Sequence, residues 1–188
     1  MIKIGITGSL ASGKTTASKI ISSGRGPLFS ADQEVKKLYS KKSFRSLVAK
    51  KFNIKLDSHF ANTIKNLVLK RQGALKKLEK IIHPLVRKNM YSFSKKNRDK
   101  KFLFFEIPLL IESKLINYFD IVLFVRSKKN LRIKRYRLKK GNLKLFNFLD
   151  RQQINFSKKM KYCDYIVVNN SSIGVLKKNL LNIMKFYE

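Results

Sequence analysis

The amino-acid sequence predicts an α/β fold in which helices cover both faces of a parallel β-sheet. Segments typical of strands alternate with segments typical of helices along the 188 residues, and this alternation favours a parallel sheet. Residues 102–105 and 121–125 are continuous apolar runs, as strands that are buried on both faces require. A glycine-rich loop joins the first predicted strand to the first predicted helix. We also expect a helical insertion and a helical lid.

The predicted elements follow from periodicity and from the glycine and proline residues that separate them. Alternating apolar residues over 2–6 predict the first strand, and Gly24 ends the first helix. The stretch of about 33–97 has mainly helical patterns and is too long for a simple crossover, so we expect it to form the insertion. Within it, His83 before Pro84 either contacts substrate or marks a helix start, and the helix start is slightly favoured. Further strands are predicted over 27–30, 102–105, 121–125 and 164–168, and helices over 15–23, 128–140, 143–161 and 175–186.

Length and composition fit one folded domain. Apolar residues make up 44% of the chain, which provides for a core. No apolar run reaches the roughly 18 residues that a membrane span needs, and the N-terminus lacks the zones of a signal peptide. Cys163 is the only cysteine, so no disulfide forms within the chain, and we expect a cytoplasmic protein that does not bind a membrane. The predicted core covers about 1–32, 98–140 and 162–188, and the lid covers about 137–161.

The chain is strongly basic, with 43 Lys and Arg residues against 11 Asp and Glu residues and a formal net charge of +32. Such an excess attracts polyanions, which makes nucleic-acid binding one interpretation. The basic residues are spread along the whole chain, however, and form no single tail or helix. Because Lys, Asn, Ile and Phe are all abundant, compositional drift explains the charge better. We therefore expect no specific nucleic-acid partner.

Residues 8–15, Gly-Ser-Leu-Ala-Ser-Gly-Lys-Thr, match the phosphate-binding loop (P-loop) pattern at every fixed position. The two glycines allow a tight turn whose amide groups converge on phosphate oxygens, and the next helix adds the positive end of its dipole. Lys14 can reach the β- and γ-phosphates, and the Thr15 hydroxyl can ligate Mg²⁺. The sequence therefore predicts a P-loop NTPase or kinase fold. The residues expected to bind the nucleotide are Gly8, Ser9, Leu10, Ala11, Ser12, Gly13, Lys14, Thr15 and Thr16.

A wider resemblance includes residues 4–15, which contain the loop, and four further segments. They are Ser30-Ala31-Asp32, Ile82-His83-Pro84-Leu85, Ile107-Pro108-Leu109-Leu110-Ile111-Glu112, and a C-terminal set of Gln153, Lys159 and Asp164-Tyr165-Ile166-Val167-Val168-Asn169. Together they resemble the dephospho-coenzyme A kinase family from about residue 2 to about residue 175. The chain departs from the family pattern at Ser30, Leu149 and Val168, and it lacks an Asp-Arg pair between 55 and 65.

The resemblance implies that ATP, with Mg²⁺, phosphorylates the ribose 3′-hydroxyl of dephospho-coenzyme A to give coenzyme A. The expected catalytic residues are Lys14, Asp32 and Arg135. Asp32 follows the second strand, so its carboxylate can orient the acceptor hydroxyl and accept its proton, although capping of the next helix is an alternative. Arg135 is the lid arginine expected to clamp the transferring phosphate. Glu106 ends the third strand, where it either holds a Mg²⁺-bound water beside Thr15 or merely faces solvent.

Two other functions remain open at this point. A P-loop kinase of another small metabolite, such as a nucleoside monophosphate, would share the loop. The Pro-Leu-Leu and Asp-Tyr-Ile segments favour the dephospho-coenzyme A kinase family over that alternative. A basic nucleic-acid-binding NTPase would explain the charge, but charge alone gives only weak, salt-sensitive binding.

Overall fold

The fold is built on a five-stranded sheet, as seen in a computed structural model that describes residues 1–188. Nine α-helices and a 3₁₀-helix (Ile116–Tyr118) connect and follow the strands. The strands are β1 (Ile2–Gly8), β2 (Leu28–Ser30), β3 (Phe102–Glu106), β4 (Ile121–Arg126) and β5 (Tyr165–Val168). The helices are α1 (Lys14–Ser22), α2 (Ala31–Ser40), α3 (Lys42–Phe52), α4 (Phe60–Lys70), α5 (Ala74–Lys96), α6 (Lys129–Leu138), α7 (Leu143–Gln152), α8 (Phe156–Met160) and α9 (Ile173–Met184).

The strands run in the order β2-β3-β1-β4-β5, and every neighbouring pair is parallel. β1 is therefore the central strand, and the chain leaves its carboxyl end directly into the P-loop. After β1 the chain forms β2 and β3 on one side of it and then β4 and β5 on the other, which makes this end a switch point where open α/β sheets bind ligands. The predicted α/β class with a parallel sheet is confirmed.

Burial explains why the two apolar runs become strands. All five residues of β3 are buried, and so are the first five residues of β4. Side chains that alternate between the two faces of a sheet are all apolar only if both faces are covered. The core packed on one face includes Ile4, Phe104 and Leu123 from the sheet, Ile21 from α1 and Leu180 from α9.

The chain divides into two compact units, one formed by 1–30 and 96–188 and the other by 31–95. The second unit consists of helices, as the periodicity of this stretch predicts. Its core includes Phe44, Phe52 and Phe60, which are almost fully buried. Tyr39 meets Phe44 edge to face, with ring centroids 5.2 Å apart. No helix of either unit is both long and apolar enough to cross a membrane.

Two helix boundaries differ from the sequence-based expectation. His83 and Pro84 lie in the middle of α5, so the predicted helix start at His83 is wrong. Buried Leu78, Ile82 and Met90 continue at helical spacing through this region, and their packing outweighs the backbone hydrogen bond that proline removes. The helical stretch of 143–161 is interrupted after α7, and Asn155 caps α8 by accepting a hydrogen bond from the Ser157 amide.

Candidate active site

The P-loop turns at two glycines that have no room for a side chain. A Cβ atom on Gly8 would lie 2.3 Å from the carbonyl oxygen of Val125 in β4. Gly13 has a φ of +98°, and a Cβ there would lie 2.2 Å from Nδ2 of Asn169, the residue that follows β5. The loop is therefore packed against Val125 in β4 and against the side chain of Asn169 after β5, and a side chain at either glycine would have to displace one of them.

Lys14 and the two threonines after it open α1. The Lys14 side chain is buried, and its Nζ donates hydrogen bonds to the carbonyl oxygens of Gly8 and Ser9 at 3.0 and 2.9 Å. Its ammonium group thus lies over the loop itself. Thr15 and Thr16 are exposed at the N-terminus of the helix, where unsatisfied amide groups and the helix dipole favour a bound anion.

The middle of the loop is held by its own backbone and by a distant side chain. The Ser12 amide donates to the Ser9 carbonyl at 3.1 Å, and the Leu10 amide donates to Oε1 of Gln153 at 3.3 Å. Ala11 has a φ of +58°, a conformation that non-glycine residues adopt rarely and mostly at functional sites. All of the predicted nucleotide-binding residues are thus contiguous at one end of the sheet.

Glu106 forms the second part of the site. Only 1% of its surface is exposed, so the alternative that it faces solvent is wrong. The Thr15 hydroxyl donates to its Oε1 at 2.5 Å, and the Ser30 hydroxyl donates to its Oε2 at 3.0 Å. The arrangement places a carboxylate and a hydroxyl side by side next to the loop, and these hard oxygen donors are the ligand type that Mg²⁺ prefers.

Ser30 ends β2, and Asp32 lies two residues further along the chain. Ser30 occupies a position at which the family pattern has an aspartate, and here its hydroxyl donates a hydrogen bond to the buried Glu106. Asp32 is exposed and is the second residue of α2. Its carboxylate lies in the first turn of α2, where the helix dipole stabilises a negative charge. Capping of α2 stays an alternative to the catalytic role.

Arg135 in α6 donates hydrogen bonds to the P-loop and to the residues that follow β4 and β5. Its guanidinium donates to the carbonyl oxygens of Ser12 and Asn169 at 3.2 and 3.0 Å, and to the Ser127 hydroxyl at 3.0 Å. The residue that was predicted to clamp phosphate is thus close to the loop, but it is bonded to protein oxygens. Its role as a phosphate clamp stays a prediction.

The pattern-based reasoning missed Asn169 and Ser127 as parts of the site. Asn169 is buried, and its Nδ2 donates to the Ser12 carbonyl at 2.9 Å. Ser127 is buried and accepts from Arg135. Both residues come directly after strands β5 and β4, at the edge of the sheet that carries the loop. That position after a parallel strand is the signal in the sequence by which they could have been found.

Cys163 is not part of this chemistry. Its thiol donates to the carbonyl oxygen of Lys159 at 3.2 Å. Burial, with a smaller contribution from the nearby Asp164 carboxylate, raises the pKa of the thiol to about 11. The side chain is therefore a neutral thiol at physiological pH, and a neutral thiol is a poor nucleophile.

Comparison with known proteins agrees with this geometry. The family model described as dephospho-CoA kinase matches residues 2–174. A dephospho-CoA kinase of Rickettsia felis is 32% identical over 177 residues, which cover 94% of this chain and 91% of the relative. The crystal structure of TT1252 from Thermus thermophilus superposes with a TM-score of 0.81, at 24% identity and with 100% of this chain and 98% of the other covered.

A second solved structure, dephospho-CoA kinase from Campylobacter jejuni, has a TM-score of 0.64 at 24% identity. It covers 99% of this chain, and 97% of its own length is matched. At such identities the structures establish the shared fold, whereas the family model and the Rickettsia relative extend the likeness to the sequence itself. The chain belongs to the dephospho-CoA kinase family.

Proposed function

We propose that this chain transfers the γ-phosphoryl group of ATP to the ribose 3′-hydroxyl of dephospho-coenzyme A, giving coenzyme A and ADP as the last step of coenzyme A biosynthesis. The observation that carries the proposal is the family match over 2–174, together with a P-loop whose fixed residues are all present. Nothing in the structure favours a nucleic-acid substrate or another small acceptor. A cytoplasmic setting stays a prediction from the sequence.

In this proposal the loop amides and the N-terminus of α1 hold the phosphates of ATP. Lys14 moves from the Gly8 and Ser9 carbonyls, which it contacts in the structure, to the β- and γ-phosphate oxygens. Its charge offsets the negative charge that spreads over these oxygens in the transition state. The bond between the γ-phosphorus and the bridging oxygen breaks, and ADP leaves with the electron pair.

Thr15 and Glu106 are the residues that would hold Mg²⁺, which fits their adjacent oxygen atoms. When bound, Mg²⁺ would supply positive charge that offsets the charge of the transferring phosphoryl group. Ser30 keeps the Glu106 carboxylate oriented by donating to its other oxygen. The chain would thus offer the metal a hydroxyl oxygen from the loop and a carboxylate that two hydrogen bonds orient.

Asp32 would orient the acceptor 3′-hydroxyl and take its proton as the oxygen attacks the γ-phosphorus. Its place in the first turn of α2 leaves the carboxylate exposed, as a group that must meet a substrate requires. The helical unit of 31–95 would clasp the pantetheine side of the acceptor, and residues 137–161 would form the lid. Arg135 would contribute positive charge near the loop, either to phosphate directly or through the loop backbone that it contacts.

A coupled assay of ADP release tests this function, with dephospho-coenzyme A offered beside AMP, CMP and shikimate as acceptors. We expect ADP release to depend on dephospho-coenzyme A and to reach a kcat/KM at least about 100-fold above that for the other three acceptors, since a site that hydrogen-bonds its substrate strongly rejects analogues. Equal or faster turnover of AMP, CMP or shikimate would replace the proposal with another small-metabolite kinase.

A further inference from the structure

The backbone amide and the carbonyl of Leu10, in the middle of the P-loop, both form hydrogen bonds with side chains from the helical segment that follows β4. The Leu10 amide donates to Oε1 of Gln153 at 3.3 Å, and the Leu10 carbonyl accepts from Nη1 of Arg132 at 3.2 Å. Neither side chain belongs to the loop or to its helix. The next residue, Ala11, has a φ of +58°, which costs about 1 kcal/mol or more and persists only where the surroundings hold it. These two contacts supply such a restraint.

Arg132 itself is held by a bidentate ion pair. Its Nη1 and Nη2 donate to the two carboxylate oxygens of Asp150 in α7 at 2.6 and 3.4 Å. Only 8% of the residue is exposed, and the guanidinium lies over the Phe146 ring at 5.6 Å. Lys129 is a second, more distant cation, 4.0 Å from Asp150. Because Asp150 offsets its charge, Arg132 is poorly suited to bind a transferring phosphate.

The backbone that carries Gln153 is also fixed. The amide of the next residue, Ile154, donates to Oε1 of Glu112 at 3.2 Å. That same carboxylate oxygen lies 2.6 Å from Nζ of Lys159, whose side chain is only 1% exposed. A buried ion pair with one shared backbone donor is costly to disrupt. The backbone at Gln153 is therefore held in place while its side-chain oxygen Oε1 accepts from the Leu10 amide.

We propose that Arg132 is a positioning residue: oriented by Asp150, it fixes the Leu10 carbonyl and, with Gln153, keeps the P-loop in the shape that binds nucleotide phosphates. The inference rests on the proposed binding of ATP by this loop. It makes Arg132, Asp150 and Gln153 part of the support of the nucleotide site through the Leu10 peptide groups alone. Loss of the ion pair then releases the loop, lowers its affinity for nucleotide and misplaces the amides that neutralise the phosphates.

Two single variants and their combination test this, namely Arg132→Met, Asp150→Asn and the double variant. ADP binding is measured by titration calorimetry below the melting temperature of each variant, and kcat and KM for ATP are measured separately. We expect each single variant to bind ADP about tenfold more weakly, the size expected for loss of a charge-assisted hydrogen bond. The double variant should be no worse than the weaker-binding single variant, because one interaction is removed in all three.

Lys134→Met is the matched control, since Lys134 lies on the same helix, is exposed and also loses one positive charge. It should bind ADP like the unaltered chain. If Arg132 were a phosphate clamp, Asp150→Asn would free its charge and keep or raise kcat. That result, or unchanged ADP binding in folded Arg132→Met and Asp150→Asn, would overturn the inference.

Gln153→Ala covers the case in which Arg132→Met does not fold. It removes only the acceptor of the Leu10 amide, and we expect weaker ADP binding with an unchanged melting temperature, whereas unchanged binding would count against the proposal. Failure of the function itself is distinct. An unaltered chain that binds ADP, responds to these substitutions as expected and yet does not use dephospho-coenzyme A would overturn the proposed reaction and leave the positioning role intact.

Discussion

The Glu106 carboxylate lies in almost complete isolation from water, and a buried charge is tolerated only where hydrogen bonds or opposite charges compensate it. The hydroxyls of Thr15 and Ser30 provide one hydrogen bond to each oxygen. Two neutral donors only partly offset a full charge. A divalent cation beside Thr15 would complete the compensation, which is the physical reason for proposing Mg²⁺ at this pair.

Replacement of Thr15 tests the metal assignment at the level of one hydroxyl. Thr15→Val keeps the shape of the side chain but removes the oxygen, so we expect the Mg²⁺ concentration for half-maximal activity to rise by about tenfold. Thr15→Ser retains the hydroxyl and should keep the normal requirement. Titration of activity with MgCl₂ at saturating ATP measures both, and an identical Mg²⁺ requirement in Thr15→Val would remove Thr15 from the metal site.

Asp32 is the residue whose proposed role is most easily separated from a structural one. Asp32→Asn keeps the size of the side chain and its place in α2 but cannot accept a proton. We expect kcat to fall by roughly 100-fold, the lower part of the range for general-base catalysis, because positioning and electrostatics carry most of phosphoryl transfer. ATP affinity and melting temperature should barely change. Unaltered turnover in this variant would exclude Asp32 as the catalytic base.

At the scale of elements, the P-loop is held where the ends of β1, β4 and β5 meet α6. β1 leads into the loop. Asn169 after β5 donates a hydrogen bond to the Ser12 carbonyl, and Ser127 after β4 accepts one from Arg135. α6 adds Arg135 to the same carbonyl. The loop shape is therefore determined by long-range packing as well as by its own glycines.

A pair of glycine variants isolates this packing from backbone strain. Gly13 and Gly24 both have positive φ, +98° and +73°, so alanine is strained by a comparable ~1–2 kcal/mol at either position. Only at Gly13 would the new Cβ also meet Asn169, at 2.2 Å. Gly13→Ala should therefore abolish measurable ADP binding, whereas Gly24→Ala should retain it. Normal ADP affinity in Gly13→Ala would mean that the contact with Asn169 does not shape the loop.

Local pattern sufficed for the elements whose structure is determined by local chemistry. The apolar runs of β3 and β4 are enough to predict buried strands. The glycine-lysine spacing is likewise enough to predict the P-loop. The passage of α5 through Pro84 could not be predicted, because it depends on packing by residues on either side. The contacts of Arg135 and Asn169 with the loop join residues more than 100 positions apart, and no spacing within the sequence encodes such a distance.

At the scale of the whole molecule, the net charge of +32 is the property that the site does not use. Of the three buried cations, Arg132 pairs with Asp150 and Lys159 pairs with Glu112, while Lys14 donates to the Gly8 and Ser9 carbonyl oxygens. Many of the others are exposed, and the acidic residues are too few to pair with them. The charge is thus spread over the surface, as drift in composition would leave it.

Neutralising exposed lysine pairs tests this view of the charge. Lys95-Lys96 and Lys177-Lys178 are exposed, so replacement of either pair by glutamine should leave kinase activity unchanged and alter stability by about half a kcal/mol or less. Activity assays and thermal melts at physiological salt measure both effects. A large loss of activity with a normal melting temperature would mark that pair as part of a functional surface.

We propose that the P-loop, through Lys14, serves the transfer of the γ-phosphoryl group of ATP to dephospho-coenzyme A. It is tested most directly by measuring coenzyme A formation from ATP and dephospho-coenzyme A with the unaltered chain and with Lys14→Ala. We expect the unaltered chain to form coenzyme A and the rate to fall by several orders of magnitude in the variant, whose circular dichroism spectrum should stay the same. Near-normal formation of coenzyme A by a folded Lys14→Ala variant, or none by the unaltered chain, would contradict it.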